Sequence, residues 1–318
     1  MSDKQVVREI FDDAHKRAPQ LTACMLAQRL GISEGALQAA RLESGITGLA
    51  LTACDLVMQF SALGPLSVAT HTPHASMTSG AVLFDAHGQH QQLASTRMQW
   101  LLPHWYWACL VATDNAITPA WPYVRLDIFD RYGLRLHSLM PNADAKHEHA
   151  WQRLNEFRCS TAPRFIERIA TCPDTTTVSY GLQREWLRLS TPETLTPLLK
   201  QHGCTRLQAY RAVEGHFTQR LLPHTLVQTV AQSEKTPYSL KLALHRPGAL
   251  HIQTGHYCAP ELINERWHTR CHHAEFEIDT SAIAETWWAM FPGQDQNVLS
   301  IDAFDHQGAL IARLTDAA

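Results

Sequence analysis

The chain has 318 residues, of which 45% are hydrophobic and 18% charged, and its formal net charge is −3. This composition is typical of a folded globular protein and excludes a disordered chain. The length allows two domains, or two fused copies of one domain. The slightly acidic balance provides no general attraction to nucleic acid or to an anionic membrane surface.

The first residues and the cysteine pattern predict a cytoplasmic protein. The start, MSDKQVVREIFDDAHKR, is charged throughout and lacks the apolar core of a signal peptide. The most apolar window, residues 102–112, is too short to span a bilayer. Eight cysteines without a C-x-x-C spacing are typical of reduced, structural thiols. The 19 histidines permit metal or heme chemistry but do not prove it.

A helical lead-in is predicted over residues 1–42. Residues 21–42 read as a helix, a turn at Gly31 and a second helix that begins after Ser33. This pattern also occurs in DNA-binding helix-turn-helix proteins, but the second helix offers only Gln38 and Arg41 for contacts to bases and phosphates. A helical hairpin that caps a sheet is the favoured interpretation, and a DNA-binding regulator stays an alternative.

From residue 64 onward the apolar pattern changes to the alternation of antiparallel strands. In the first half we expect a hairpin at 81–94, a buried strand at 105–112, a hairpin at 124–139 and a helix at 143–157. In the second half we expect helices at 163–170 and 196–214, a hairpin at 239–255, strands at 275–279 and 284–291, and a last hairpin at 297–313.

Two stretches of sequence occur twice. LDIFDRYGLRL at 126–136 returns as IDAFDHQGALI at 301–311, and YWAC at 106–109 returns as WWAM at 287–290. We therefore predict an α+β tandem structural repeat, with a large antiparallel sheet after the helical segment of each half. The halves are residues 1–165 and 166–318, and a cleft between them is a favoured ligand site. Superposition should bring Phe129 onto Phe304 and Trp107 onto Trp288.

The order of six segments resembles the cytoplasmic heme-utilisation family of Gram-negative heme-uptake operons, also called hemin-degrading or heme-trafficking proteins. The resemblance runs from about Val6 to Ile311 and implies a two-repeat fold that binds one heme in a cleft. It also implies a heme oxygenase or a heme transporter as a partner. The segments are MLAQRLGISEGALQAARL, IFDRYG, LLKQHGCTRLQAYRAV, HRPGALHIQTG, IAETWWAMFP and AFDHQG.

The position of the family's iron-binding histidine is occupied here by Glu193. The family carries that histidine just before the second-half helix, in the segment that matches residues 186–203. A carboxylate is a harder and weaker ligand for heme iron than a neutral imidazole. The alternative, which is favoured, is an acid that interacts with the dipole at the start of a helix.

The other expected site positions have also changed. The family's arginine on the opposite heme face corresponds to Gln99, which can donate a hydrogen bond but carries no charge. The basic pair that would hold the heme carboxylates corresponds to Met290 and Phe291. Two histidines are candidate replacement ligands: His104 beside the cleft strand, and His202, nine residues after Glu193 and roughly 13 Å along a helix axis.

A second constellation combines histidines and cysteines in residues 256–273. If this segment folds as a hairpin, its donors have the right chemistry for zinc, but the spacing matches no standard zinc module. We expect no stoichiometric zinc. The donors are His256, Cys258, His268, Cys271, His272 and His273.

Two functions remain in competition. The first is a heme-utilisation protein that binds or traffics heme for iron acquisition with an altered iron-ligand set. The second is a non-catalytic descendant of the same fold that binds or regulates through another ligand. The resemblance leaves heme degradation open, although turnover of heme requires a firm proximal ligand that Glu193 does not provide.

Overall fold

The computed structural model describes residues 3–18, 21–85, 87, 95–112, 124–141, 147–167, 181–235, 238–263, 266–272, 274–293 and 296–316. The helices in these ranges are α1 (Asp3–Arg17), α2 (Ala23–Arg29), α3 (Glu34–Ala40), α4 (Ala53–Gln59), α5 (Glu148–Arg153), α6 (Gly181–Trp186), α7 (Leu195–His202), α8 (Arg206–Ala212) and α9 (Thr225–Ser233). Short 3-10 helices lie at Phe60–Leu63, Leu102–His104, Leu154–Phe157, Pro192–Thr194 and Thr280–Ala282. No helix in the described ranges has the length and apolar character needed to cross a membrane.

The first-half strands are β1 (Ile46–Leu49), β2 (Leu66–His71), β3 (Ala75–Val82), β4 (Thr96–Trp100), β5 (Trp107–Ala112), β6 (Val124–Phe129), β7 (Arg135–Pro141) and β8 (Arg158–Cys159). The second-half strands are β9 (Thr218–Leu221), β10 (Leu240–Arg246), β11 (Ala249–Gly255), β12 (Cys258–Ile263), β13 (Arg266–Cys271), β14 (Ala274–Ile278), β15 (Glu285–Phe291), β16 (Val298–Phe304) and β17 (Leu310–Asp316). Helices combined with antiparallel sheets confirm the α+β prediction.

The strands form two antiparallel sheets with a common plan. The ten-stranded sheet has the order β12-β13-β14-β3-β2-β7-β6-β5-β1-β8, and the seven-stranded sheet has the order β4-β11-β10-β17-β16-β15-β9. Six strands of each sheet follow one order, β3-β2-β7-β6-β5-β1 in the first and β11-β10-β17-β16-β15-β9 in the second. This correspondence confirms the tandem repeat.

The two halves exchange strands. β4 of the first half pairs with β11 of the second, and β14 of the second half pairs with β3 of the first, bringing β13 and β12 with it. Each sheet therefore contains strands from both halves. The boundary between residues 165 and 166 stays a prediction, while the sheets themselves are shared.

The register supports one expected superposition and corrects the other. Phe129 and Phe304 are the last residues of β6 and β16. Trp107 lies opposite Phe129, whereas Glu285 lies opposite Phe304. The counterpart of Trp107 is therefore Glu285, three residues before Trp288, although the strands β5 and β15 do correspond. Because side chains alternate between faces, a shift of three would turn each aromatic ring to the wrong side of the sheet.

The α2–α3 pair is a helical hairpin, as predicted. Gly31 makes the turn with a left-handed φ of 65°, and the Ser33 hydroxyl accepts a hydrogen bond from the first turn of α3. Gln38 is fully buried. Arg41 donates to Gln38 at 2.9 Å and lies 3.5 Å over the ring of Phe11. Both side chains proposed for DNA contacts are thus engaged inside the helical segment.

Some local predictions were wrong. Residues 163–167 of the expected 163–170 helix are not helical, and Phe165 instead packs against Trp107. The rest of that segment lies outside the described residues. The 196–214 helix is two helices separated by Gly203, whose φ is 60°. The expected 81–94 hairpin is not formed by β3 and β4, which belong to different sheets; its turn at Ala86 and Gly88 lies outside the described residues.

The inner faces of the two sheets pack against each other. Leu242 and Leu244 of β10 share a buried cluster with Met77 of β3 and Phe276 of β14. On its outer face, the seven-stranded sheet is covered by α6, α7 and α8 only over β15 and its neighbours, in a cluster that includes Phe291. The space expected between facing sheets is therefore filled, and the open surface lies on the outer face beside these helices.

A chain of buried polar side chains also joins the sheets. His137 of β7 is 3.1 Å from the Thr70 hydroxyl of β2, which is 3.1 Å from Nδ1 of His251 in β11. Nε2 of His251 is 2.8 Å from the Ser79 hydroxyl of β3. Burial, followed by the charge of Arg246, lowers the pKa of His137 to about 3. These neutral partners hold the sheets in one register.

Candidate ligand-binding cleft

Strand β10 divides its side chains between core and surface. Leu240, Leu242 and Leu244 are buried toward the other sheet, so Lys241 and His245 project from the outer face. Strand β4 behaves in the same way, with Arg97 and Gln99 on its exposed side, as its burial pattern shows.

The pairing register aligns these side chains in three rows across the outer face, with neighbours about 4.8 Å apart. The lysine row is Thr254–Lys241–Thr315, the arginine row is Arg97–Ile252–Ala243–Arg313–Asp302, and the histidine row is Gln99–Leu250–His245. Three of the middle residues, Ala243, Leu250 and Ile252, form one buried apolar cluster. The rows thus enclose a flat apolar floor with polar side chains at its ends.

A cleft of about 720 Å³ lies beside this cluster, and Ile252 is the member of the cluster that lines it. Its walls come from β4, from the start of β16 and from the 3-10 helix Pro192–Thr194, and they include Arg97, Glu193 and Lys241. Both halves therefore line it, through β4 on one side and the second-half strands on the other. Its volume falls within the range of roughly 300–1,000 Å³ that is usual for small-molecule sites.

The cleft carries two cations without acidic partners. Within the ranges that the structure describes, neither Arg97 nor Lys241 is in an ion pair. Glu193 is different: its side chain is 45% exposed to the cleft, yet its Oε1 lies 3.5 Å from Nη1 of Arg313. A ligand with carboxylates would find free positive charge at Arg97 and Lys241.

Behind Glu193 lies a buried charge cluster. Arg313 is 2% exposed and donates from Nε and Nη2 to Asp302 at 2.9 and 3.0 Å. The Tyr210 hydroxyl donates to the same carboxylate at 2.9 Å, and Arg206 is 3.8 Å away. Burial works against the charge of Asp302, but Arg313 outweighs it and holds the pKa of Asp302 below its ordinary value. With two arginines and one aspartate inside, Glu193 supplies the second negative charge.

His245 stands at the far end of the histidine row. Burial, then the charges of Arg313 and Arg206, lower its pKa to about 4, while Glu193 opposes the shift. At neutral pH its imidazole is therefore uncharged. Sequence reasoning missed His245, Arg97 and Lys241. The alternation in SLKLALHR (239–246) and in STRMQ (95–99) was the available signal, since it places all three opposite the buried positions.

Comparison with known proteins identifies the relatives of this chain. Residues 203–316 match the family model of the haemin-degrading HemS.ChuX domain. These residues are therefore similar to that family. The match confirms the resemblance predicted from the sequence segments.

Two curated relatives match the chain at low identity. The hemin transport protein HemS of Yersinia enterocolitica is 23% identical over 200 residues, and the hemin transport protein HmuS of Yersinia pestis is 24% identical over 193 residues. Each alignment covers 59% of this chain and 56% of the relative. The chain thus spans little more than half the length of these curated relatives.

Solved structures share the fold over almost the whole chain. Holo-PhuS, a heme-binding protein from Pseudomonas aeruginosa, has a TM-score of 0.85 and 23% identity over 99% of this chain and 94% of its own. The heme-degrading enzyme ChuS of Escherichia coli O157:H7 has a TM-score of 0.84 and 18% identity with the same coverage. At these identities the likeness establishes a shared fold and no shared site.

The structure brings together two of the six site positions that were compared with the family. Glu193 lines the cleft, and Gln99 lies on the same outer face, two residues from Arg97 on β4. On this face Gln99 lies opposite Leu250 of β11, and Leu250 in turn lies opposite His245 of β10. The roles of Glu193 and Gln99 stay predictions.

The other four positions lie away from the cleft lining. His104 is exposed at the end of a 3-10 helix, and Nε2 of His202 is 2.7 Å from the Glu185 carboxylate. Phe291 is fully buried, stacked on Trp186 at 5.4 Å. The backbone oxygen of Met290 accepts a hydrogen bond from the Trp186 indole at 2.9 Å. Packing and local hydrogen bonds therefore account for the positions of His202, Met290 and Phe291.

The histidine–cysteine segment forms the expected hairpin of β12 and β13. Cys258 is exposed, whereas Cys271 is buried. His268 pairs with Glu261 across the strands, and Ser239 is the neighbour of His256, at 3.3 Å. Among the described residues, which leave out His273, no three such donors are close enough to hold a metal ion.

Proposed function

We propose that this chain binds heme in the cleft on the outer face of the seven-stranded sheet and serves heme utilisation. The observation that carries the proposal is a cleft of about 720 Å³ in which apolar side chains such as Ile252 and Leu299 lie beside two cations, Arg97 and Lys241, that have no acidic partner among the described residues. Heme has a flat apolar macrocycle and two carboxylates on one edge. Burial of the macrocycle against the apolar lining of the cleft would supply most of the affinity.

Arg97 and Lys241 are suited to the two heme carboxylates. They lie on β4 and β10, which are separated by β11, and Lys241 is two residues along β10 from the row of Arg97, so their Cα atoms are about 12 Å apart. A charge-assisted hydrogen bond to a carboxylate is stronger than a neutral one, and both cations are available for it. These residues replace the basic pair whose expected positions are Met290 and Phe291.

The iron-ligand set is part of the same proposal. Glu193 is engaged with Arg313, and coordination of iron by its carboxylate would remove a counter-charge from two buried arginines. The cost of an uncompensated buried charge exceeds what a weak oxygen ligand contributes. Glu193 therefore acts as a counter-ion at the wall of the cleft, and we propose heme binding or trafficking without heme degradation.

The names of the relatives, hemin transport proteins and a heme-binding protein, support this setting. We propose that the chain acts in the cytoplasm in iron acquisition. A heme oxygenase or a heme transporter is the expected partner.

Titration with hemin tests the proposal. We expect a sharp Soret band that saturates at one hemin per chain, measured by absorbance and checked by intrinsic tryptophan quenching. The double variant Arg97→Ala/Lys241→Ala should bind at least tenfold more weakly. A broad absorbance that rises linearly, without saturation, would contradict heme binding and favour the alternative, a related fold that serves another ligand.

A further inference from the structure

We propose that Glu193 is an internal substitute for a ligand carboxylate: it occupies Nη1 of Arg313 in the free protein and is displaced when a carboxylate of the ligand binds there. The inference rests on the proposed function for the identity of the ligand. It deepens that function, because it adds a third cation to the cleft and a selection against ligands without an acid. Glu193 lines the cleft, and Arg313 is covered in the free protein.

The contact with Glu193 is the loosest that Arg313 makes in its charge cluster. Nε and Nη2 of Arg313 donate to Asp302 at 2.9 and 3.0 Å. Nη1 lies 3.5 Å from Oε1 of Glu193, which is beyond the usual range of about 2.7–3.2 Å for a direct hydrogen bond. The side chain of Glu193 is 45% exposed, whereas that of Arg313 is 2% exposed. Glu193 is therefore the partner that can leave.

The wall that carries Glu193 is held in place, so only the side chain has to move. Pro192 is buried, and its backbone oxygen accepts a hydrogen bond from Nη2 of Arg206 at 3.2 Å. The Thr194 hydroxyl donates to the backbone oxygen of Thr191 at 2.6 Å and closes the turn of the 3-10 helix. A half-exposed glutamate can then change its rotamer without any change in the fold.

The strand register places Arg313 directly beside the surface of the cleft. Its neighbour on the same face of β17 is Thr315, which lines the cleft and lies opposite Lys241 of β10. Arg313 is thus the diagonal neighbour of Lys241, at a Cα separation of about 7–8 Å. A carboxylate that takes the place of the Glu193 carboxylate is therefore within reach of the Lys241 ammonium group as well.

The charges of the cluster make this exchange selective. Arg206 and Arg313 carry two positive charges, which Asp302 and Glu193 together balance. When Glu193 turns away, a buried positive charge loses its counter-charge, which is costly in the protein interior. A carboxylate of the ligand restores the balance, whereas a neutral ligand does not. The cleft should therefore select ligands that carry a carboxylate.

The first experiment tests the carboxylate position without heme. Glu193→Ala vacates the position on Arg313, so sodium formate should fill it and raise the midpoint of thermal unfolding above that in sodium chloride at equal ionic strength. Glu156→Ala is the matched control, because Glu156 lies 4.0 Å from Arg153 but both side chains are mostly exposed. The control and the wild type should show no difference between the two salts. Equal midpoints for Glu193→Ala in both salts would overturn the inference.

The second experiment titrates the full chain with hemin and with hemin dimethyl ester, which has no free carboxylate. Glu193→Gln removes the competing charge and keeps the size of the side chain, so it should tighten hemin binding about fivefold. The ester should bind the variant and the wild type alike. Glu156→Gln makes the same change in net charge and should leave the hemin affinity unchanged. No gain with hemin, or an equal gain with the ester, would contradict displacement of Glu193.

The two experiments separate this inference from the proposed function. If formate stabilises Glu193→Ala but the wild type shows no saturable hemin band, heme binding fails and the carboxylate position stands. If the wild type binds one hemin and formate has no specific effect, heme binding stands and Glu193 is a fixed counter-ion.

Discussion

Both halves of the chain place an aspartate at one point of their sheets, but they satisfy it differently. Asp127 and Asp302 are fully buried at equivalent positions of β6 and β16. Asp127 accepts a hydrogen bond from Ser138 at 2.6 Å, with Arg125 at 2.8 Å. At the position of Ser138 the second half has Arg313, which binds Asp302 with two hydrogen bonds. The scaffold therefore conserves the buried acid between its own two copies and changes the donor.

The two sheets also differ in the charged side chains on their outer faces. The register makes Glu275 the counterpart of Arg97, because each lies on the exchanged strand opposite equivalent residues of β3 and β11. Ser67 is likewise the counterpart of Lys241. The seven-stranded sheet thus carries two cations where the ten-stranded sheet has an acid and a hydroxyl.

The largest difference between the halves should appear in stability after Arg313→Met. This change leaves Asp302 buried with Arg206 3.8 Å away, and breaking a buried pair costs about 3–5 kcal/mol. Ser138→Ala should cost only about 1–2 kcal/mol, because Asp127 keeps Arg125. Urea unfolding at neutral pH measures both. Equal losses would show that the two aspartates are held by the same forces.

The two halves also differ in the contact between a helix and the turn of a hairpin. Leu207 at the start of α8 lies beside Gly308, whereas Gly35 in α3 lies against Gly133 and the ring of Phe165. Leu207→Ala should leave a cavity and cost about 2–4 kcal/mol.

In the first half, an added side chain at the equivalent position should destabilise the fold. A Cβ on Gly35 would lie 2.8 Å from Cα of Gly133, so Gly35→Ala should cost about 1–3 kcal/mol by overpacking. Urea unfolding measures both variants. A neutral Gly35→Ala would mean that Phe165 and the turn move aside easily.

The equivalent histidines, His71 and His245, should make equal contributions to the pH dependence of stability. Burial, followed by nearby arginines, lowers the pKa of His71 and lowers that of His245 to about 4. As pH falls from 6.5, the unfolded chain takes up protons that the folded chain does not, so stability falls by about 1.4 kcal/mol per pH unit for each histidine.

His71→Gln and His245→Gln should each reduce that slope by one proton between pH 6 and 5, measured by urea unfolding. A slope that neither variant changes would show that both rings are protonated in the folded protein.

The smallest expected effects concern single cations of the cleft. Arg97→Ala and Lys241→Ala should each weaken hemin binding about fivefold, which corresponds to about 1 kcal/mol for a partly exposed pair. Glu275→Ala, at the counterpart of Arg97 in the ten-stranded sheet, should leave affinity unchanged. Fluorescence titration at two salt concentrations checks this, because the loss should shrink as salt screens the charges. A comparable effect of Glu275→Ala would place the ligand elsewhere.

Local sequence signals predicted the hairpins and the repeat but not the strand exchange. The β6–β7, β10–β11 and β16–β17 hairpins have short turns that the residues between them specify. The pairing of β4 with β11 joins segments about 150 residues apart, and no local pattern states which sheet edge a strand will meet. The similarity of YWAC to WWAM predicted the wrong superposition of Trp107 on Trp288 for a related reason. The fold preserves which side of the strand is buried rather than the position of one aromatic ring.

The candidate site was predictable only in part for the same physical reason. Matching residues 186–203 to the corresponding segment of the family identified Glu193, because that position lies just before a helix that the local sequence specifies. The cleft is lined by residues of several strands, so Arg97 of β4 and Lys241 of β10 come to line it only after the strands have paired. Alternation alone gives the face of each residue; the register that brings the two to one cleft requires the sheet.

The exchanged strands have a consequence for the history of the molecule. A fused pair of copies that trade β4 against β12–β14 can no longer lose either copy by deletion, because each would leave behind an unpaired sheet edge prone to association. Neither half can therefore be removed on its own without exposing a sheet edge of the other half.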